Sequence, residues 1–144
     1  MIKVRKAIDS DLDRIDNIFN KSTGRKLNKN VPRYLKTYPS VVAVRKETVV
    51  GFCYSRSFAP DILELMNIFL IESERGKGLG KMVIKAFENE AFKDFNSIIL
   101  VNSKLYSSKE NKRLATRFYL ECGYKVVLST PNSKIFGKDK SRSS

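Results

Sequence analysis

A single mixed α/β (α+β) domain is what this sequence predicts, on three observations. Apolar, strand-forming segments at 41–45, 49–57 and 61–71 follow one another with only short turns between, the pattern of an antiparallel meander. The last of them runs through a glycine-rich turn into an amphipathic helix and then a short apolar strand at 98–101, which calls for a parallel crossover. At 144 residues, without an internal repeat or a linker, the chain has material for one core.

The elements follow in order. Ile2-Lys3-Val4-Arg5-Lys6 alternates apolar and basic residues, as a half-exposed opening strand does. Asp9 or Ser10 then caps a helix. Asp11 and Asp13 suit its positive N-terminus, and Leu12, Ile15, Ile18 and Phe19 form one apolar stripe. The stretch 21–40 is less regular and holds Gly24, Pro32 and Pro39; a short helix is expected over 33–38, with Pro32 in its first turn. The meander strands turn first at Lys46-Glu47-Thr48. In the next helix Leu79, Met82, Val83, Ala86, Phe87 and Ala91 share a face, with Lys81, Lys85 and Lys93 elsewhere. A helix over 110–122 is expected to bury Leu114, Ala115 and Phe118 and to stop at Gly123. Closing strands at 124–128 and 134–136 flank a turn at Pro131-Asn132. The domain is thus 1–137, and 138–144 reads as a polar, loose tail.

Composition narrows the chemistry. No apolar run approaches the ~20 residues of a membrane span, and MIKVRKAID lacks the apolar core of a secretory signal, so a soluble, cytoplasmic protein is expected, with no membrane partner. Histidine is absent, which removes imidazole bases, Ser-His-Asp and Cys-His nucleophiles and most zinc sites; no metal is expected. Cys53 and Cys122 read as small core residues. Proton chemistry therefore falls to carboxylate, tyrosine, lysine or cysteine. The net charge of +13, from 28 Lys+Arg against 15 Asp+Glu, favours polyanionic partners.

Arg75-Gly76-Lys77-Gly78-Leu79-Gly80 joins a strand to a helix N-terminus. Glycines there let backbone N–H groups approach an anion, the helix end adds partial positive charge, and Arg75, Lys77 and Lys81 add formal charge. It is a phosphate cradle, yet it fails both familiar patterns. A P-loop would need glycine at Arg75 and Ser or Thr at Met82, and G-x-G-x-x-G would need glycine at Lys81 or Val83.

At this loop the sequence resembles the GNAT (Gcn5-related N-acetyltransferase) family, whose acetyl-CoA motif [QR]-x-x-G-x-[GA] is met by Arg75, Gly78 and Gly80. Leu65-Met66-Asn67-Ile68-Phe69-Leu70 is similar to the strand before that motif in the ribosomal-protein N-terminal acetyltransferase branch. The opening Arg5-Lys6-Ala7 with Asp11-Leu12, and the closing Phe118-Tyr119 with Gly123-Tyr124, extend the resemblance over residues 2 to about 137. It implies a mixed six- to seven-stranded sheet, splayed between its fourth and fifth strands and flanked by about four helices. It implies acetyl-CoA as cosubstrate, with backbone groups of Ile68, Phe69 and Leu70 pairing with the pantetheine arm and Arg75, Gly76, Lys77, Gly78, Leu79, Gly80 and Lys81 holding the pyrophosphate. Family members often carry Asn seven residues before the tyrosine; here Lys112 stands there, and Asn111, one position earlier, is the expected cofactor contact.

The resemblance also implies roles. Acetyl transfer to an amine needs a base for the ammonium proton and an acid for the departing sulfur. Glu64 matches the glutamate base of the histone acetyltransferase branch, with a plain surface ion pair as the alternative. Tyr119 stands where many members place the general acid, with core packing as the alternative, and Tyr124 is expected to be core. No cysteine lies in a nucleophile motif, so direct attack in a ternary complex is expected. Residues 17–46 hold eight Lys+Arg and no Asp or Glu, which suits an acidic or phosphate-bearing amine acceptor, from a protein, peptide or small molecule. The alternatives are an enzyme acetylating aminoacyl-tRNA, as in the family's toxin branch, and a noncatalytic nucleic-acid-binding module. A monomer or a homodimer fits equally.

Overall fold

A computed structural model of the chain describes residues 1–103 and 109–141. β1 (Ile2–Lys6) lies on one edge of the sheet and pairs antiparallel with β2 (Ser40–Arg45). Between them a 3-10 turn leads into α1 (Leu12–Thr23), whose Ile15, Ile18 and Phe19 are buried, and α2 (Val31–Thr37) follows with Pro32 in its first turn. Asp11 organises this entry. Its carboxylate accepts from both terminal nitrogens of Arg5, at 2.8 and 2.9 Å, and from the Ile8 amide at 2.8 Å.

β2, β3 (Thr48–Ala59) and β4 (Ile62–Leu70) form the expected meander. The two-residue turn between β2 and β3 places Lys46 and Glu47 at φ +49° and +66°, a left-handed pair whose twist matches the flanking strands. α3 (Leu79–Ala91) then crosses the sheet to β5 (Ser97–Ser103), parallel to β4. α4 (Lys109–Glu121) leads to β6 (Lys125–Ser129) and β7 (Ser133–Asp139), giving the order β1-β2-β3-β4-β5-β7-β6. Two apolar cores result, one per face. Ile15, Ile18, Val31 and Leu35 of α1 and α2 pack on Val42, Phe52 and Tyr54; Val83, Ile84 and Phe87 of α3 pack on Cys53, Leu63, Leu65, Ile98 and Phe136. No helix among the described residues is long and apolar enough to cross a membrane.

Three expectations need correction. The buried arc of α3 takes in Ile84 and leaves Met82 47% exposed. Its flank carries Glu88, which can face inward because Lys138 Nζ meets both its oxygens at 2.9 and 3.1 Å. On α4, Leu114 is exposed, since the helix packs through Phe118 and Tyr119 in its C-terminal half, with Cys122 just after it. The last strand does not stop at Phe136 and the loose tail does not begin at 138. Lys138 also donates to the Cys122 carbonyl at 2.8 Å, and Ser97 Oγ donates to Asp139 at 2.7 Å, which stitches both residues into β7.

β6 is the other edge of the sheet. Its register against β7 slips between Val126 and Leu128, so Val127 is a bulge, and Val126, Val127 and Leu128 are all exposed.

Candidate active site

The site begins where the sheet comes apart. β4 and β5 pair only through Ile62, Leu63 and Glu64, opposite Ser97, Ile98 and Ile99. Beyond Glu64, β4 stays with β3 while β5 stays with β7, so the flank of β4 carrying Ile68, Phe69 and Leu70 has no strand partner among the described residues. A cause lies in β4 itself. Tyr54 pairs with Asn67 but Ser55 with Leu65, so Met66 is an inserted residue, and such bulges bend a strand. Asn67 then turns to the α1/α2 face, where its amide donates to the Tyr54 hydroxyl at 2.6 Å. The expected splay between the fourth and fifth strands is present.

The glycine loop closes the open end of the gap. Gly76 and Gly78 sit at φ +75° and +81°, left-handed conformations that glycine adopts without strain, and no atom of the described residues lies within 4 Å of where a Cβ would stand at either one. Gly80 has a different reason. A Cβ there would lie 3.0 Å from Phe118 Cε1, so the glycine lets α3 approach α4. The first intrahelical bond of α3 comes from the Met82 amide to the Gly78 carbonyl, which leaves the Leu79, Gly80 and Lys81 amides directed out of the helix end. Around them, Arg75 Nε donates to the Leu70 carbonyl at 3.2 Å, Lys77 lies 4.0 Å from Glu74, and Lys81 lies 3.0 Å from Glu121. Lys81 and Arg117 hold the Glu121 carboxyl below the usual range. The loop is anchored by Glu74, buried on its far side, whose two oxygens accept from Arg45 of β2 at 2.7 and 3.0 Å. That guanidinium lowers the Glu74 carboxyl in turn. An extended, amide-bearing arm ending in phosphate fits this frame: an unpaired strand flank, then amides at a helix end, then cations.

Glu64 and Tyr119 lie on opposite faces of the sheet. Leu63 and Leu65 belong to the α3-side core, so Glu64 between them faces α2. It is the last residue of β4 to pair with β5, at the vertex of the gap. Its Oε1 accepts from Arg56 Nε at 3.2 Å, the ion pair weighed as its alternative role. Tyr119 packs edge-on to Phe118 and Tyr124 and tilted on Phe136 of β7, beneath the gap on the α3/α4 face. Burial raises its phenol well above the usual tyrosine range, and Cys53 and Cys122 push the same way. Tyr124 is buried, as expected of a core residue. Asn111 lies on α4, but its side chain falls outside the described residues.

A cleft of about 390 Å³ opens beside Glu64 on the α2 face, between Arg33, Tyr34 and Tyr38 on one side and Arg56, Ser57 and Phe58 on the other. None of these six was singled out from the sequence. Arg56, paired with Glu64, and Arg33 together draw the Tyr34 phenol below its ordinary value. Arg33 lies over the Tyr34 ring, 5.6 Å from its centroid. Only the stretch without acids between 17 and 46 hinted at this cationic wall.

Comparison with solved structures returns the same architecture. The putative acetyltransferase yncA from Salmonella typhimurium, with its cofactor acetyl-CoA, superposes with a TM-score of 0.83 at 14% identity over 100% of this chain and 96% of that one. Ard1 from Thermoplasma volcanium gives 0.80 at 17% identity, covering 96% of this chain and 97% of that one. Arabidopsis thaliana Naa50, in complex with the bisubstrate analogue CoA-Ac-MVNAL, gives 0.77 at 14% identity, covering 96% and 99%. A comparison with curated protein sequences finds no relative. Residues 36–126, from α2 through the gap and the loop to β6, match the family profile described as the acetyltransferase (GNAT) domain, and the chain belongs to that family of acetyltransferases.

Proposed function

We propose that the chain is an acetyl-CoA-dependent N-acetyltransferase that moves an acetyl group to an amine by direct attack in a ternary complex. The observation that carries this is the gap between β4 and β5, which has the glycine loop at its open end and Glu64 at its vertex. Acetyl-CoA supplies the acetyl group as an activated thioester. The β4 flank at Ile68, Phe69 and Leu70 offers backbone hydrogen bonds to an extended arm, and Arg75 through Lys81, with Asn111, hold the phosphate end. On the α2 face the Glu64 carboxylate takes the proton that an alkylammonium of pKa ~10.4 must lose before it can attack. On the other face the Tyr119 hydroxyl gives a hydrogen bond, and then a proton, to the departing sulfur. The opposite placement of these two groups lets the acceptor enter from α2 while the thioester arrives from the loop. The cationic wall of the cleft suits an acidic or phosphate-bearing acceptor.

Calorimetry with coenzyme A, followed by an assay of free-thiol release against a panel of amines, tests the reading. Saturable binding with amine-dependent thiol release is expected. Folded protein that gives no binding heat and no thermal protection would overturn it.

A further inference from the structure

The cleft beside Glu64 carries an uneven charge. Its walls bring two guanidiniums, Arg33 and Arg56, against one carboxylate, Glu64, and Arg56 is already paired with Glu64 at 3.2 Å. Arg33 has no carboxylate partner among the described residues. It is exposed and lies over the Tyr34 ring, 5.6 Å from its centroid, so an aromatic plane defines its position while the guanidinium edge faces solvent and the cleft. The surplus is thus a single positive charge, a planar fork carried by α2, whereas Glu64 is carried by β4. A carboxylate matches that fork two oxygens to two N–H groups and cancels one charge, whereas a phosphate dianion would leave excess negative charge beside Glu64.

We infer that the acceptor is an amine carrying one carboxylate a few atoms away, its amine directed to Glu64 and its carboxylate held by Arg33. Tyr34 and Tyr38 supply flat walls for the atoms between, and Arg56, paired with Glu64 at 3.2 Å, holds the carboxylate at its end of the cleft. The inference rests on the acetyltransferase reading and makes Arg33 the residue that decides specificity. Two sources of the carboxylate have the same chemistry, an acidic first side chain of a peptide and the α-carboxylate of a free amino acid.

The test compares acid and amide pairs at low salt with saturating acetyl-CoA: peptide amides beginning with Glu or Gln, and alanine against alaninamide. In at least one pair the acid should exceed the amide tenfold or more in kcat/KM, and the pair that does so identifies the source. Arg33→Gln should bring that ratio to within twofold, through KM, and Arg33→Lys should restore part of it. A ratio near one in the wild type for both pairs overturns the inference. So does an Arg33→Gln protein that slows acid and amide alike with the ratio intact, or a preference for O-phosphoserine over glutamate at the first position. Should no acceptor turn over although coenzyme A binds, equilibrium binding of the same pairs to the coenzyme-loaded protein decides, on the same tenfold criterion. Failure of coenzyme A to bind at all brings down the acetyltransferase reading itself, an outcome distinct from loss of acid preference.

Discussion

Tyr119 and Glu64 face different surroundings, and each makes its own prediction. Burial raises the Tyr119 phenol, so it keeps its proton past the ordinary tyrosine value of about 10 and remains a donor throughout the working range. Tyr119→Phe keeps the ring packing on Phe136 and removes only the hydroxyl; kcat should fall by roughly 10²-fold, the usual scale of a positioned acid, while coenzyme A binding persists. Steady-state kinetics beside calorimetry separates the two. Because the raised phenol titrates above pH ~10, the wild-type rate should show no alkaline limb from this group below that pH. Glu64→Gln should cost a similar factor in kcat while coenzyme A binding persists, read by the same pair of measurements. Gly78 gives a backbone prediction. At φ +81° with open space around it, alanine would meet no clash but would be held left-handed, at about 1–2 kcal/mol in denaturant unfolding.

Helices and hairpins carry the next set of effects. Gly80→Ala would drive its methyl against the Phe118 ring, 3.0 Å away, and wedge α4 from α3; overpacking of this kind costs ~1–3 kcal/mol, and calorimetry should show weaker coenzyme A binding alongside the loss of stability. Arg45→Ala should loosen the loop through Glu74 and raise the coenzyme A dissociation constant roughly tenfold, a change of ~1.4 kcal/mol in binding. These contacts also show what the sequence could and could not disclose. The meander, the crossover and the glycine loop were legible because each rests on local pattern: strand-forming runs, a helical period, glycines at a helix start. The exposure of Met82 was not, because Glu88 faces inward only by virtue of Lys138, 50 residues away. The Arg56–Glu64 pair was hidden by the register of the β3–β4 hairpin, which slips around the inserted Met66. Gly80 was legible as part of a motif, but its packing against Phe118 depends on how two distant helices meet. Arg33 and Tyr34 looked like ordinary residues of a short helix until the fold set them opposite β3.

Across the molecule, two half-sheets share one short seam of three residue pairs, Ile62–Glu64 with Ser97–Ile99. A ligand that bridges the open flank should stabilise the whole fold. At a hundred times its dissociation constant, coenzyme A should add ~2.7 kcal/mol, read as a rise in Tm. With a net charge of +13, that gain should shrink as salt is raised. Acid should act globally too. Arg5 and Arg45 hold the Asp11 and Glu74 carboxyls below their ordinary range, so their stabilisation is complete above the unfolded value near 4 and is lost as pH falls through the lower folded values. Asp11→Asn should cost about 2 kcal/mol at neutral pH, and its difference from the wild type should fade below pH ~4 in urea titrations. The far margin of the molecule poses another problem, that of growth into fibrils. Three consecutive aliphatic residues on an outer strand, each with free main-chain groups beside it, would ordinarily template stacking with identical chains. The extra residue at Val127 breaks that flat ladder, so a chain shortened by this one position would present a continuous adhesive edge and should precipitate at a lower concentration than the parent.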